Sequence, residues 1–363
     1  MAAPAPTRPR ATVERAARAD LDGLYRDVAL EIRARTPQDH NGHRRVALPR
    51  TVRRLRKQAP LLALEGVGRL SIGLRRLTGR DVIDLNAMMA IVQFFYQQVE
   101  LAKRDLYEID EFGFDREYAE SFLPVFRWIY HNYWRVETTG AANVPGEGRA
   151  LLVSNHAGVL PWDGAMIKTA LFEEHPTPRH ARALVASVFF GLPVLSWFLR
   201  RTGQTVGHPA DAQRLLGRDE LVLVFPEGVK GTGKGWQNRY RLQRFGRGGY
   251  VETAIRARAP IIPISVVGSE EIYPMIANLE PVAKAVGFPY FPITPFFPLL
   301  GPLGAIPLPS KWRIQFHEPV RTDLWDPADA ADQRLVMSIS DHVQEIIQTG
   351  ILENLKLRKG VFV

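Results

Sequence analysis

The sequence predicts an α/β protein: a mostly parallel sheet flanked by helices, with an N-terminal helical region and a C-terminal amphipathic helix. Three observations predict it. From Ala150 onward, short apolar runs alternate with stretches of helical periodicity, as in consecutive β-α-β units. One run, Leu221-Val222-Leu223-Val224-Phe225, is apolar throughout, which suits a central strand buried on both faces. Two of the runs end in turns bearing polar chemistry, where open α/β sheets place their sites.

The elements follow in order. Residues 1–48 read as a basic, partly disordered arm with an interrupted helix from Val13 to Ala34. Residues 49–138 read as a helical, membrane-associated region. Within it Leu85–Val99 is uncharged but too short and too polar to span a bilayer. Phe122, Val125, Phe126, Ile129 and Trp134 recur near helical spacing between Arg116 and Trp134. An α/β domain is expected over 139–325, with strands at Ala150–Ser154, Ala183–Ser187, Gln204–Val206, Leu221–Phe225, Ile261–Val267 and Trp312–Phe316. Helices are expected near Ala165–Phe172, Leu192–Arg200, Ala210–Leu216 and Gly248–Arg258. Residues 326–363 form the C-terminal unit, where Leu335, Ile339, Val343 and Ile346 share one face of a helix over Ala330–Leu357.

Composition narrows the function. The 363 residues contain no cysteine, which excludes disulfides, zinc–thiolate sites, iron–sulfur clusters and a thiol nucleophile. His175 and His180 flank a turn-rich stretch without a carboxylate at ligand spacing, so no metal site is expected and both read as surface loop histidines. The N-terminus lacks the apolar core of a secretory signal, which fits a cytoplasmic protein. The net charge of +9 is uneven: residues 1–60 hold 14 Lys and Arg against 6 Asp and Glu, and the rest hold 33 against 32. Such an arm either suits an anionic surface or is a solvated tail. Ala285–Ser310 is uncharged for 26 residues and contains seven prolines, which forbid a regular helix. Its Phe, Tyr, Ile and Leu form either a buried loop or an apolar surface for an acyl chain or bilayer.

Three strand ends hold the candidate chemistry. The first, Ser154-Asn155-His156, runs through Gly158 and Pro161 to Asp163, seven positions beyond His156, with a helix following. Asp163 is either an N-cap or the carboxylate that fixes an imidazole base in one tautomer. The second, Phe225-Pro226-Glu227-Gly228, delivers a carboxylate at the end of a buried strand. The third, Pro260-Ile261-Ile262-Pro263-Ile264, is broken by prolines, as in a strand that bends or borders a ligand channel.

In this order, His156 with Asp163, the "FPEG" of Phe225–Gly228 and the "PIIPI" of Pro260–Ile264 resemble the first, third and fourth motifs of the glycerolipid acyltransferases. The likeness is to the lysophosphatidate acyltransferase type, including the subgroup related to monoacylglycerol acyltransferases. It covers roughly Val136 to Val320. The resemblance implies transfer of a fatty acyl group from acyl-CoA or acyl carrier protein to a lipid hydroxyl, with no cofactor. His156 is then the general base and Asp163 its orienting acid; Glu227 and Gly228 position the acceptor headgroup. The family usually has four residues between its His and Asp; this chain has six. The family's second motif supplies an arginine for the acceptor phosphate. The matching stretch, Gly203–Pro209, has none, leaving Arg200, Arg201 or the cations after Gly228, such as Lys230 and Lys234, to replace it. The acceptor is accordingly a lysophospholipid or a neutral acylglycerol. The partners expected are these two substrates and a membrane surface on its inner face, without nucleic acid; oligomeric state is silent.

Three other readings compete. Gly228–Gly235 nearly spells a phosphate-binding loop, but Gly235 replaces the magnesium-binding hydroxyl and no apolar-periodic helix follows. A non-catalytic membrane-binding protein leaves both decorated strand ends unexplained. An esterase would use His156 to activate water and release free fatty acid.

Overall fold

The computed structural model describes residues 44–47, 90–94, 96–98, 101, 106–191 and 193–362. Seven strands join in one sheet: β1 (Glu137–Thr139), β2 (Ala150–Ser154), β3 (Ala181–Val185), β4 (Gln204–Val206), β5 (Leu221–Val224), β6 (Ile261–Val267) and β7 (Arg313–Phe316). Their spatial order is β1-β7-β6-β2-β5-β3-β4. Every neighbouring pair is parallel except β7 against β6. The mostly parallel α/β architecture expected from the sequence is the one observed.

β2 lies at the centre with all five residues buried. Its side chains alternate between two cores, as the strand period requires. Ala150 and Leu152 pack with Met166, Ile167 and Trp312 on one face. Leu151 and Val153 pack with Leu215, Ile255 and Val343 on the other. Helix α1 (Trp162–Glu173) covers the first face. Helices α3 (Pro209–Leu216), α4 (Gly249–Ala257) and α5 (Gln333–Leu357) bury their apolar stripes on the second. The C-terminal helix is thus the closing layer of the domain, not a unit apart. Helix α2 (Pro193–Arg201) connects β3 to β4.

Several boundaries differ from the sequence reading. β1 lies in the stretch read as helical and pairs with β7. Arg44–Ala47 and Leu106–Ile109 form an antiparallel ribbon across the stretches read as arm and helical region. Each is at most four residues long and pairs with a distant partner, so no local turn signal marks it. The 116–134 helix is present but divided into Arg116–Glu120, Leu123–Trp128 and a π-helical turn, Ile129–Tyr133. β3 begins two residues early because Arg182 belongs to it. That guanidinium is 1% exposed, 2.6 Å from Asp110 and stacked over Phe114. The helix expected over 13–34, and residues 85–89 of the uncharged segment, fall outside the described residues.

His175 and His180 are not surface loop residues. His175 is buried against the Val144 carbonyl. His180 lies between Phe114 and Phe172, and burial pushes its imidazole down to about 4. Among the described residues, no helix is long and apolar enough to cross a membrane, and no group of three His, Asp or Glu could hold a metal ion.

Candidate active site

β2 passes the chain to Asn155, whose side-chain amide donates to the Val266 carbonyl (2.9 Å) and accepts the Val266 N–H (2.8 Å). The side chain thereby extends the ladder with β6 past the strand's end. His156 is then the first residue to leave the sheet. Gly158 makes the bend at φ +78°, where a Cβ would come within 2.6 Å of the Ser269 carbonyl. Pro161 precedes α1, and Asp163 falls in its first turn, fully buried.

Asp163 is not the helix cap. Its Oδ2 lies 2.7 Å from His156 Nδ1 and also accepts the Ala157 N–H (2.9 Å), while Oδ1 accepts the Gly164 N–H (2.8 Å). The six-residue bend brings acid and imidazole into direct contact. With Nδ1–H directed at the carboxylate, Nε2 is the nitrogen with a free lone pair. The imidazole is further held by Phe225, stacked on it at 4.1 Å and 21°. The His156 side chain remains 13% exposed. An imidazole held in one tautomer beside a buried carboxylate is an arrangement that can accept a proton at Nε2.

Glu227 reaches the same place from β5, beside β2 in the sheet. Its Oε1 accepts the His156 N–H (2.8 Å) and its Oε2 accepts the Gln243 N–H (2.6 Å). Lys234 Nζ stands 3.8 Å from Glu227 and 2.9 Å from Glu270, with all three side chains buried. Burial pushes the Glu227 and Glu270 carboxyls above the usual carboxylate range, against the pull of Lys234. Glu227 and Lys234, expected at the substrate, direct these polar atoms to the protein and form a floor beneath His156. Gly231 allows that floor to close, since a Cβ there would lie 2.6 Å from the His156 carbonyl. Gly228, at φ +56°, and Lys230 are exposed on the rim. The Ala157 amide is engaged by Asp163.

Arg200 and Arg201 are elsewhere. They end α2, which runs back from β3 to the start of β4, so they lie at the amino edge of the sheet, opposite His156. Arg201 is buried in an ion pair with Asp115 under Tyr118, and Arg200 packs over Phe190. Neither reaches the site. The phosphate-loop reading fails on the same geometry: Gly228–Gly235 holds one helical turn, Val229–Thr232, and its Lys234 is buried against the carboxylates of Glu227 and Glu270. Sequence reasoning missed Asn155, Phe225 as a ring partner, Gly231 and Glu270. The carboxylates of Glu270 and Glu271, just past β6, were a visible third decorated strand end.

Residues 135–267 match the sequence profile of the family described as Acyltransferase. An uncharacterized protein of Mycobacterium tuberculosis is 47% identical over 280 residues, 77% of each chain. The 1-acyl-sn-glycerol-3-phosphate acyltransferase alpha of Ovis aries is 30% identical over 145 residues, 38% of this chain and 47% of that one. The crystal structure of the 1-acyl-sn-glycerophosphate acyltransferase of Thermotoga maritima superposes with a TM-score of 0.44 at 16% identity, over 85% of this chain and 99% of that one. The chain thus carries an acyltransferase-family domain over residues 135–267.

Proposed function

We propose that the protein transfers a fatty acyl group from an acyl thioester, acyl-CoA or acyl carrier protein, to the hydroxyl of a lysophospholipid such as lysophosphatidate. His156 Nε2 takes the hydroxyl proton as the oxygen attacks the thioester carbonyl, and returns a proton to the departing thiolate. Asp163 holds the ring and balances the imidazolium. The observation that supports this most is the 2.7 Å contact between His156 Nδ1 and a fully buried carboxylate. Family membership and the name of the Ovis aries relative support the substrate class. A neutral mono- or diacylglycerol acceptor is the second reading, favoured by the diversion of Arg200, Arg201 and Lys234 to internal partners. In either case the protein works peripherally at the inner face of a membrane, without cofactor or nucleic acid.

The test is a panel of acceptors with one radiolabelled acyl-CoA, wild type beside His156→Ala. Labelled diacyl phospholipid from a lysophospholipid, lost in the variant, is the expected result. Product from monoacylglycerol alone selects the second reading. Free fatty acid as the sole product, without dependence on acceptor, refutes both.

A further inference from the structure

Of the 19 large hydrophobic side chains that the described residues leave exposed, 12 belong to the turns after the strands or to the excursion between β6 and β7. Within Ala285–Ser310 the exposed set is Phe288, Phe296, Leu299, Leu300, Leu303 and Ile306, with Leu299 at 84%. Apolar side chains scattered singly need no explanation, but a grouped set of this size marks a contact surface. The excursion is tied to the catalytic bend. Tyr290 OH donates to the Val159 carbonyl (2.6 Å), and Tyr273 OH, which holds the Ala305 carbonyl (2.6 Å), accepts from Trp162 Nε1 at the end of the bend (3.3 Å). The seven prolines limit regular structure from Phe288 onward to a two-residue strand, Pro292–Ile293, and a short 3-10 helix, Gly301–Ala305, so the leucines are presented on turns.

On one side of Ala285–Ser310, Glu280 is paired with Lys284; on the other, the charge has one sign. The loop from Gly228 to Arg247 contains six cations and no acid. Two of the six are used internally: Lys234 with Glu270, and Arg239 over Trp236. Lys230, Arg241, Arg244 and Arg247 are exposed. This loop meets the excursion where Trp236 N–H donates to the Met275 carbonyl (2.8 Å). An uncharged apolar face bordered by cations, at the mouth of the site, matches an anionic phospholipid surface: hydrocarbon takes the leucines and headgroups take the cations.

We infer that Leu299, Leu300, Leu303 and Ile306, with the cations of the Gly228–Arg247 loop, dock the protein on anionic bilayers with the mouth of the site against the lipid. The choice of a lipid occupant rests on the proposed acyl transfer; the binding itself does not. The test is flotation of the full chain with vesicles of equal parts phosphatidylglycerol and phosphatidylcholine, at low and at high salt. The double variant Leu299→Asp/Leu303→Asp should bind at least roughly tenfold more weakly at both, because two leucines no longer leave water. High salt suppresses the contribution of the N-terminal cations. Both positions are exposed, so an unchanged melting curve will confirm that the fold is kept. His156→Ala should float like wild type.

With substrate in vesicles the double variant should show a raised KM, and on a short-chain water-soluble acceptor an unchanged rate. If no protein transfers acyl groups, the proposed function fails while flotation still decides the docking. Equal flotation of variant and wild type overturns the inference. So does a wild type that self-associates through these leucines, by light scattering, and leaves vesicles unbound, or one whose binding to nucleic acid these leucines control.

Discussion

Asp163 and Glu227 are both carboxylates with no useful exposure, and each meets His156 by a different route. Asp163 accepts from the ring, and Glu227 accepts from the backbone N–H of the same residue. The first sets the tautomer; the second sets where the ring stands. Glu227→Ala therefore leaves the His156 and Gln243 amides without their acceptor, a loss of about 2–4 kcal/mol in stability. Its kinetic effect should be a fall in kcat, up to about 10²-fold, for every acceptor, with KM for donor and acceptor nearly unchanged. A rise in KM confined to the acceptor would return Glu227 to the headgroup role. At this scale the sequence was legible for His156 and Asp163, because a strand end, a Gly–Pro bend and an acid are local signals. It was not legible for Glu227 and Lys234. A charged residue after a strand reads the same whether it faces substrate or folds inward, and only the closure permitted by Gly231 decides.

Helix α1 serves two ends of the molecule. Its first turn supplies Asp163, and further along Lys168 donates to the Thr202 carbonyl (2.6 Å). Burial, with a further push from Arg182, brings the Lys168 ammonium down from 10.5 to about 7. A folded-state value below the unfolded one means that this group's contribution to stability is greatest above about pH 10.5, declines as pH falls, and is fully lost below about 7. Lys168→Met removes the titration. The variant should be more stable than wild type at about pH 6, by about 1–3 kcal/mol, and the difference should narrow or reverse toward about pH 10, where the Thr202 carbonyl misses its donor. Thermal melts across that range check it; a pH-independent difference contradicts it. The strands beyond Ala150 were legible because their apolar runs are bounded by Gly and Pro and separated by amphipathic helices. The short strands Arg44–Ala47, Leu106–Ile109 and β1 were not, since their pairing is settled by distant partners.

In the whole molecule, the topology assigns the work to the carboxyl ends of β2, β5 and β6, three adjacent strands. His156, Glu227 and Glu270 all follow those ends, and the apolar excursion leaves from the last of them. Arg200 and Arg201 show what a linear reading lacks. In the chain they lie next to the stretch where the family's phosphate arginine is expected, but in space they lie at the opposite edge. Ala285–Ser310 reads from sequence as either a buried loop or an apolar surface; in the fold Leu299, Leu300 and Leu303 are exposed.

The central claim is that His156 and Asp163 act as one catalytic unit. It is tested most directly by acyl-transfer rates of His156→Ala, Asp163→Asn and the double variant. Single losses on the order of 10²–10⁴-fold are predicted, with the double variant no slower than His156→Ala alone, because a carboxylate with no imidazole to orient has nothing left to do. Near wild-type transfer by His156→Ala, or an Asp163→Asn loss that multiplies in full onto it, would contradict the account.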